Sequence, residues 1–133
     1  MLGSQLQTAI YSALTNASPS IAGGRVYDRV PGSPTFPYIS IGDEQVIDDG
    51  NTCDDGWEVF PDVHIWSRST AGSKLEIKGI IAQVVPAVVG ISSISGSFTV
   101  IAAQLETART FRDPDGLTEH AVCSFRFVII PSA

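Results

Sequence analysis

The order of apolar and polar positions predicts a helix at the start of the chain. Apolar residues recur there at steps of three and four, which places them on one stripe of an amphipathic helix. These residues are Leu2, Leu6, Ala9, Ile10, Ala13, Leu14 and Ala17. Ser18-Pro19 is expected to end the helix, because proline disfavours helical geometry in the residue before it.

A second helix is predicted in TAGSKLEIKGIIAQVVPAVVG, residues 70–90. Its apolar positions again follow the helical period and are more numerous, which indicates a more buried element. They are Leu75, Ile77, Ile80, Ile81, Val84, Val85 and Val88. Ser69 or Thr70 is a plausible N-terminal cap. Pro86 is expected to end or kink the helix.

Alternation with a period of two predicts the strands. The segments are GRVYDRV at 24–30, YISIGDEQV at 38–46, WEVFPDVHIWSR at 57–68, and two long stretches at 96–114 and 116–130. The turn DPDG joins the last two stretches and is typical of a β-hairpin.

The same alternation assigns faces to two of these strands. In the strand 57–68, one face carries Val59, Pro61, Val63 and Ile65, and the other carries Phe60, Asp62, His64 and Trp66. Pro61 has no backbone N–H to donate to a neighbouring strand, so its presence predicts a position at the edge of the sheet or at a β-bulge. In the last strand the apolar face, expected to meet the helices, carries Ala121, Cys123, Phe125, Phe127 and Ile129.

The order helix, two or three strands, helix, two strands predicts an α+β fold. We expect an antiparallel sheet of about four to five strands, with both helices packed on one face. At 133 residues the chain is expected to form a single domain, residues 1–133. A Rossmann-like series of βαβ units does not fit this order.

Charge and composition exclude several classes of protein. The net charge is −6, and the eight Lys and Arg residues are scattered, so tight binding to nucleic acid is not expected. The sequence contains no run of eighteen or more apolar residues, so no membrane span is predicted. The start lacks the basic region of a secretory signal. Two cysteines imply no disulfide framework, and reduced thiols in the cytoplasm are the default.

The segment 43–55 carries six carboxylates, one cysteine and no basic residue, and is expected to be a loop. The six are Asp43, Glu44, Asp48, Asp49, Asp54 and Asp55. The segment does not fit a calcium-binding loop, because an alignment that places Gly56 at position six puts Cys53 at a ligand position and leaves no Glu at position twelve. Two interpretations remain open: a surface that faces a partner or channel, and a loop that is merely solvated.

Candidate chemistry is sparse. A small metalloenzyme would use Asp62, His64 and His120. Asp62 and His64 share one face of a strand, but two ligands do not make a metal site. His120 and Cys123 are three apart on a strand and point to opposite faces. The sequence contains no nucleophile elbow and no phosphate-binding loop. We therefore predict no catalytic residue, no cofactor and no metal, with the metalloenzyme kept as an alternative.

Three segments, taken in order, carry a resemblance to a known family. RVYDRVPGSPTFPYISIGDEQV follows the first helix, DVHIWSRSTAGSKLEIKGII closes a strand before the second helix, and RTFRDPDGLTEHAVCSFRFVI ends the chain. Together they resemble the tail-completion, or tail-terminator, proteins of long-tailed bacteriophages and of phage-like gene transfer agents. The resemblance covers nearly the entire chain, and PYISIG and VHIWSRS are its most specific parts.

The resemblance implies a structural virion protein that forms a homo-oligomeric ring, typically a hexamer. Such a ring caps the tail tube, ends its polymerisation and joins it to the head–tail connector, while DNA passes through without specific binding. The implied partners are the tail tube protein and the connector or head-closure protein, and the implied location is the tail or neck of a particle assembled in the bacterial cytoplasm. A head-closure or neck ring protein is the alternative within the same particle.

Overall fold

The structure is a computed structural model that describes residues 2–48, 56–68 and 73–132. Its described elements are α1 (Leu2–Thr15), a short 3-10 turn (Ala22–Gly24), β1 (Val26–Tyr27), β2 (Tyr38–Asp48), β3 (Trp57–Arg68), α2 (Leu75–Val89), β4 (Ser93–Ile94), β5 (Phe98–Arg112) and β6 (Thr118–Pro131). The two helices and the four long strands lie where the residue pattern predicts them.

The strands form one six-stranded sheet in the order β1-β2-β3-β6-β5-β4. The expected four to five strands and the purely antiparallel pairing were wrong, because β1 pairs with β2 in parallel. The remaining neighbours are antiparallel. Of the strand predicted at 24–30, only Val26–Tyr27 form β1. The strand that the sequence analysis misses is β4, whose two residues are too few to show the alternation that identifies a strand.

Irregularities in register bend the sheet. In β2 the register shifts between Ile41 and Glu44, opposite the stretch of β3 that contains Pro61. Pro61 therefore belongs to an interior strand beside a bulge, so the bulge alternative is confirmed and the edge alternative is wrong. Two further shifts occur in β5, between Val100 and Ala102 and between Leu105 and Thr107. Bulges increase local bend and twist, and the sheet curls accordingly.

The core lies between the two helices and one face of the sheet. The helices contribute Leu2, Leu6, Ile10, Leu14, Ile77, Ile80, Val84 and Val88, and β6 contributes Ala121, Cys123, Phe125, Phe127 and Ile129. All five residues of β6 are fully buried, which confirms the predicted apolar face. We call the opposite face of the sheet, which carries His64 and Trp66, the outer face.

Two details of α2 differ from the sequence prediction. Leu75 was placed on the buried stripe but is 80% exposed, because it opens the helix beyond the part that packs on the sheet. Pro86 does not end the helix, which continues to Val89. The expected cap, Ser69 or Thr70, lies outside the described residues, and the Leu75 N–H donates to Ser73 Oγ at 3.0 Å.

The burial of Phe125 generates a prediction about stability. Its side chain is fully enclosed between β6 and the helices, so Phe125→Ala leaves a cavity that the backbone cannot close. We expect the free energy of unfolding to fall by about 3–5 kcal/mol, measured by urea denaturation.

Cys123→Ala is the matched control, because it removes a smaller buried group from the neighbouring core position of the same strand. Burial raises the pKa of the Cys123 thiol to about 11, so this residue behaves as a small apolar side chain. A loss on Phe125→Ala no larger than the loss on Cys123→Ala would contradict the assigned packing.

Candidate functional site

The structure divides the six predicted acidic residues into two groups. Asp43, Glu44 and Asp48 belong to β2. This confirms the strand predicted at 38–46, which includes Asp43 and Glu44, and shows that a loop beginning at Asp43 was wrong, because β2 continues to Asp48. The reason is pairing with β3, which continues to Asp48 opposite Trp57 and satisfies the backbone while the side chains stay exposed. The other three, Asp49, Asp54 and Asp55, lie outside the described residues.

Glu44 occupies a distinctive position within this group. Its carboxylate lies so close to Gly3 of α1 that a Cβ at position 3 would collide with it. Partial burial raises the pKa of the Glu44 carboxyl above its usual value. Among the described residues no cation lies near enough to form an ion pair with Glu44.

Asp62, His64 and His120 lie on the outer face, as the alternation predicts. His64 and His120 meet directly, with 2.8 Å between His64 Nδ1 and His120 Nε2. One ring donates this hydrogen bond and the other accepts it, so a pair with both rings protonated cannot form it. Gly42 makes room for His64, because a Cβ there would approach the His64 ring to 2.5 Å.

His120 also belongs to a row of rings that crosses four strands. The registers place Tyr38 of β2 opposite Trp66 of β3, Trp66 opposite His120 of β6, and His120 opposite Phe111 of β5. We call these four residues the aromatic row. Trp66 and His120 stack with centroids 3.6 Å apart, Tyr38 stacks on Trp66 at 6.1 Å, and Phe111 meets His120 edge-on at 4.6 Å.

The loop before β2 extends this row. Phe36 packs against Tyr38 at 5.2 Å, and the Arg68 guanidinium lies 4.3 Å from the centroid of the Phe36 ring. The aromatic row lies across one end of the outer face. Tyr38 and His120 are buried there, and Phe111 is 41% exposed. Single-strand alternation places each of these residues on a face, but only the pairing between strands brings them together.

A buried carboxylate on the helix side was also missed by sequence reasoning. Glu119 is 2% exposed, and its Oε1 accepts hydrogen bonds from Arg112, with the guanidinium 2.8 Å away. Lys74, just before α2, approaches Glu119 Oε2 at 3.6 Å. Ser67, opposite Glu119 in the register, donates to Glu76 of α2. This polar cluster fixes the start of α2 against the end of the sheet.

These groups offer little for catalysis or metal binding. Within 2–48, 56–68 and 73–132, no three His, Cys, Asp or Glu side chains are grouped so that they could hold a metal ion. Asp62, His64 and His120 share a face, but the two imidazoles bind each other and His120 stacks on Trp66. None of the described helices is long and apolar enough to cross a membrane.

Comparison with known proteins identifies the family. Residues 8–130 match the family model described as tail completion protein gp17. The chain belongs to this family. It is 27% identical over 125 residues to the tail completion protein gp17 of Bacillus phage SPP1, which covers 93% of this chain and 91% of that protein. Members of the tail completion family are structural proteins of phage-type tails.

Two solved structures share the fold. A chain of the virion of a native gene transfer agent particle superposes with a TM-score of 0.83 at 22% identity, covering 98% of this chain and 97% of that one. The structure of bacteriophage SPP1 gp17 superposes with a TM-score of 0.61 at 23% identity, covering 96% and 91%. These two likenesses show the fold, and the match of residues 8–130 to the family model confirms the sequence resemblance to the tail-completion family.

The environment of His120 generates a prediction about pH. Burial, and secondly the neighbouring His64, lower the pKa of His120 below its usual value of 6.5, while Asp113 opposes this shift. Below pH 6.5 the unfolded chain therefore binds more protons than the folded protein, and stability falls as the pH drops through the folded pKa. Above pH 6.5 the stabilisation that comes from keeping His120 neutral is fully present.

We expect His120→Gln to flatten this dependence, because glutamine does not titrate. Urea denaturation from about pH 7.5 to about pH 5.5 should show a steeper loss of stability for the wild-type chain than for His120→Gln. Equal slopes for the two proteins would show that His120 is not held neutral by its surroundings.

Proposed function

We propose that this chain forms a closed ring, a hexamer, on the finished tail tube of a phage-like particle. The ring ends tube polymerisation and offers a surface to the head–tail connector. The observation that carries the proposal is the family match over residues 8–130, which includes every long strand and most of α1. The proposed role requires no catalytic residue, cofactor or metal.

The charge of the chain fits a channel through which DNA moves. Six copies at −6 each carry about −36, a field that repels a polyanion. DNA that has to leave the particle must not be held by the ring, so weak attraction suits this role. We infer that the acidic residues of 43–55 act by charge and position, facing the channel, a neighbouring ring or, where they lie on β2, the next copy of the same ring.

The experiment that tests this function removes the gene from the particle's genome and supplies it again from a plasmid. Without the protein we expect tails of uncontrolled length that are not joined to heads, counted by negative-stain electron microscopy. Tails of normal length on particles that lose DNA from their heads would instead indicate a head-closure or neck protein. Normal, joined and infectious or transducing particles would refute both roles.

The same complementation system tests the acidic segment. The variant has Asp48, Asp49, Asp54 and Asp55 each replaced by Asn. It should remain folded, because exposed charges contribute only about 0–1 kcal/mol each. It should join fewer heads to tails or pass DNA less well, most clearly at low salt where screening is weak.

Asp28→Asn removes an exposed carboxylate outside the acidic segment and is the control for charge alone. A normal yield of active particles from the quadruple variant would show that the acidic segment is only a solvated surface. A stoichiometric metal ion found there by calorimetry would also contradict the inference.

A further inference from the structure

The sheet has two long edges that are only partly covered. On β2, β1 pairs with Ile39 and Ser40 alone, so the stretch 41–48 has no described strand on that side. On β5, β4 pairs with Phe98 and Thr99 alone, so the stretch 101–112 is likewise open. We call these stretches the β2 edge and the β5 edge.

Both edges are accessible to another molecule. Every residue from 43 to 48 is exposed, including Val46 at 45% and Ile47 at 40%. On the β5 edge, Ile101 is 57% exposed and Phe111 41%. An unpaired edge presents a row of backbone N–H and C=O groups that another strand can join. The exposed apolar side chains would gain burial from the same contact.

The two edges differ in formal charge, which is −3 on the β2 edge and +1 on the β5 edge. The β2 edge bears Asp43, Glu44 and Asp48, and the β5 edge bears Arg109 and Arg112, with a single carboxylate on Glu106. Arg112 is bonded to Glu119, but Arg109 makes no hydrogen bond or ion pair with any described residue. Asp43 and Glu44 likewise have no cationic partner among the described residues.

These charges distinguish between the possible pairings of two copies. Pairing two β2 edges would place acidic residues against acidic residues, and pairing two β5 edges would place arginine near arginine. Like charges across an interface suppress association, whereas opposite charges favour it and help to fix register. A β2 edge against a β5 edge is therefore the favoured contact between copies.

We propose that the β2 edge of one copy pairs with the β5 edge of the next copy, so that the sheet continues from subunit to subunit. This contact joins two different surfaces, and repeating it generates a ring when the rotation closes. The inference rests on the ring assembly proposed above and assigns the surfaces that form it. Backbone hydrogen bonds supply affinity, as in other strand additions, and the charges supply selectivity.

Engineered disulfides test the contact in assembled particles. Each variant carries one cysteine on each edge. Gln45→Cys on the β2 edge is combined in the same chain with Gln104→Cys, Thr107→Cys or Arg109→Cys on the β5 edge. Every variant also carries Cys53→Ser. All of these side chains lie on the outer face. Within one copy β3 and β6 separate the two edges, three spacings of about 4.8 Å, so an intramolecular disulfide is too long to form.

After mild oxidation of purified particles, we expect at least one pair to give a ladder of cross-linked oligomers that ends at the closed ring. Gln45→Cys with Ala108→Cys is the matched control, because Ala108 points to the helix face and should not cross-link. Single-cysteine variants should also stay uncross-linked. Cross-linking of the Gln45→Cys or Gln104→Cys single variant would show like edges in contact and overturn the proposal.

Charge reversal supplies a second readout that does not depend on the exact register. Arg109→Glu should lower the amount of chain incorporated into particles at least about tenfold, since it places like charges across every contact of the ring. Adding Asp43→Arg should restore part of the loss. Lys78→Glu, on the exposed side of α2, makes the same change of charge away from both edges and should leave incorporation unchanged.

The outcomes separate this proposal from the proposed function. The edge contact alone would be overturned by two results together. The particle would contain rings of this chain without a cross-link for any outer-face pair, and a folded Arg109→Glu variant would be incorporated as well as the wild type. Absence of the wild-type chain from particles would overturn the proposed function and the edge contact with it. Circular dichroism of each purified variant shows whether the variant is folded.

Discussion

The register between β3 and β6 determines both the core and the outer face of the sheet. It sets Val63 opposite Cys123 and Ile65 opposite Ala121 on the buried face, and Trp66 opposite His120 on the outer face. A slip of one residue would turn the buried set towards solvent and the polar set towards the helices. The core beneath the helices and the aromatic row therefore follow from one alignment in the middle of the sheet.

Local sequence signals account for much of this architecture. Helical periodicity predicts α1 and α2, and alternation predicts the long strands and their faces, because both are properties of neighbouring residues. The signal fails where structure depends on distant partners. The two-residue strand β4 exists because β5 lies beside it, and β2 continues to Asp48 because β3 pairs with it despite its polarity. The meeting of His64 with His120, 56 residues apart, has no local signature.

The arrangement of polar groups suits a structural component. The two histidines are bonded to each other, and Glu119 is held between Arg112 and Lys74 beside α2. Among the described residues, Asp43 and Glu44 on the β2 edge and Arg109 on the β5 edge form no ion pair. The histidine pair and the Glu119 cluster therefore stabilise the fold. The exposed charges on the edges of the sheet can contact other molecules. This division agrees with membership of the tail completion family.

We propose that this chain acts as a closed ring at the end of the tail tube. A reconstruction of intact particles by electron cryomicroscopy, focused on the junction between tail and head, is the decisive experiment. We expect one ring of six copies between the last tube ring and the connector, with β2 of each copy beside β5 of the next. A junction that holds this chain as a monomer or in three-fold rings, or that lacks it, would refute the closed ring.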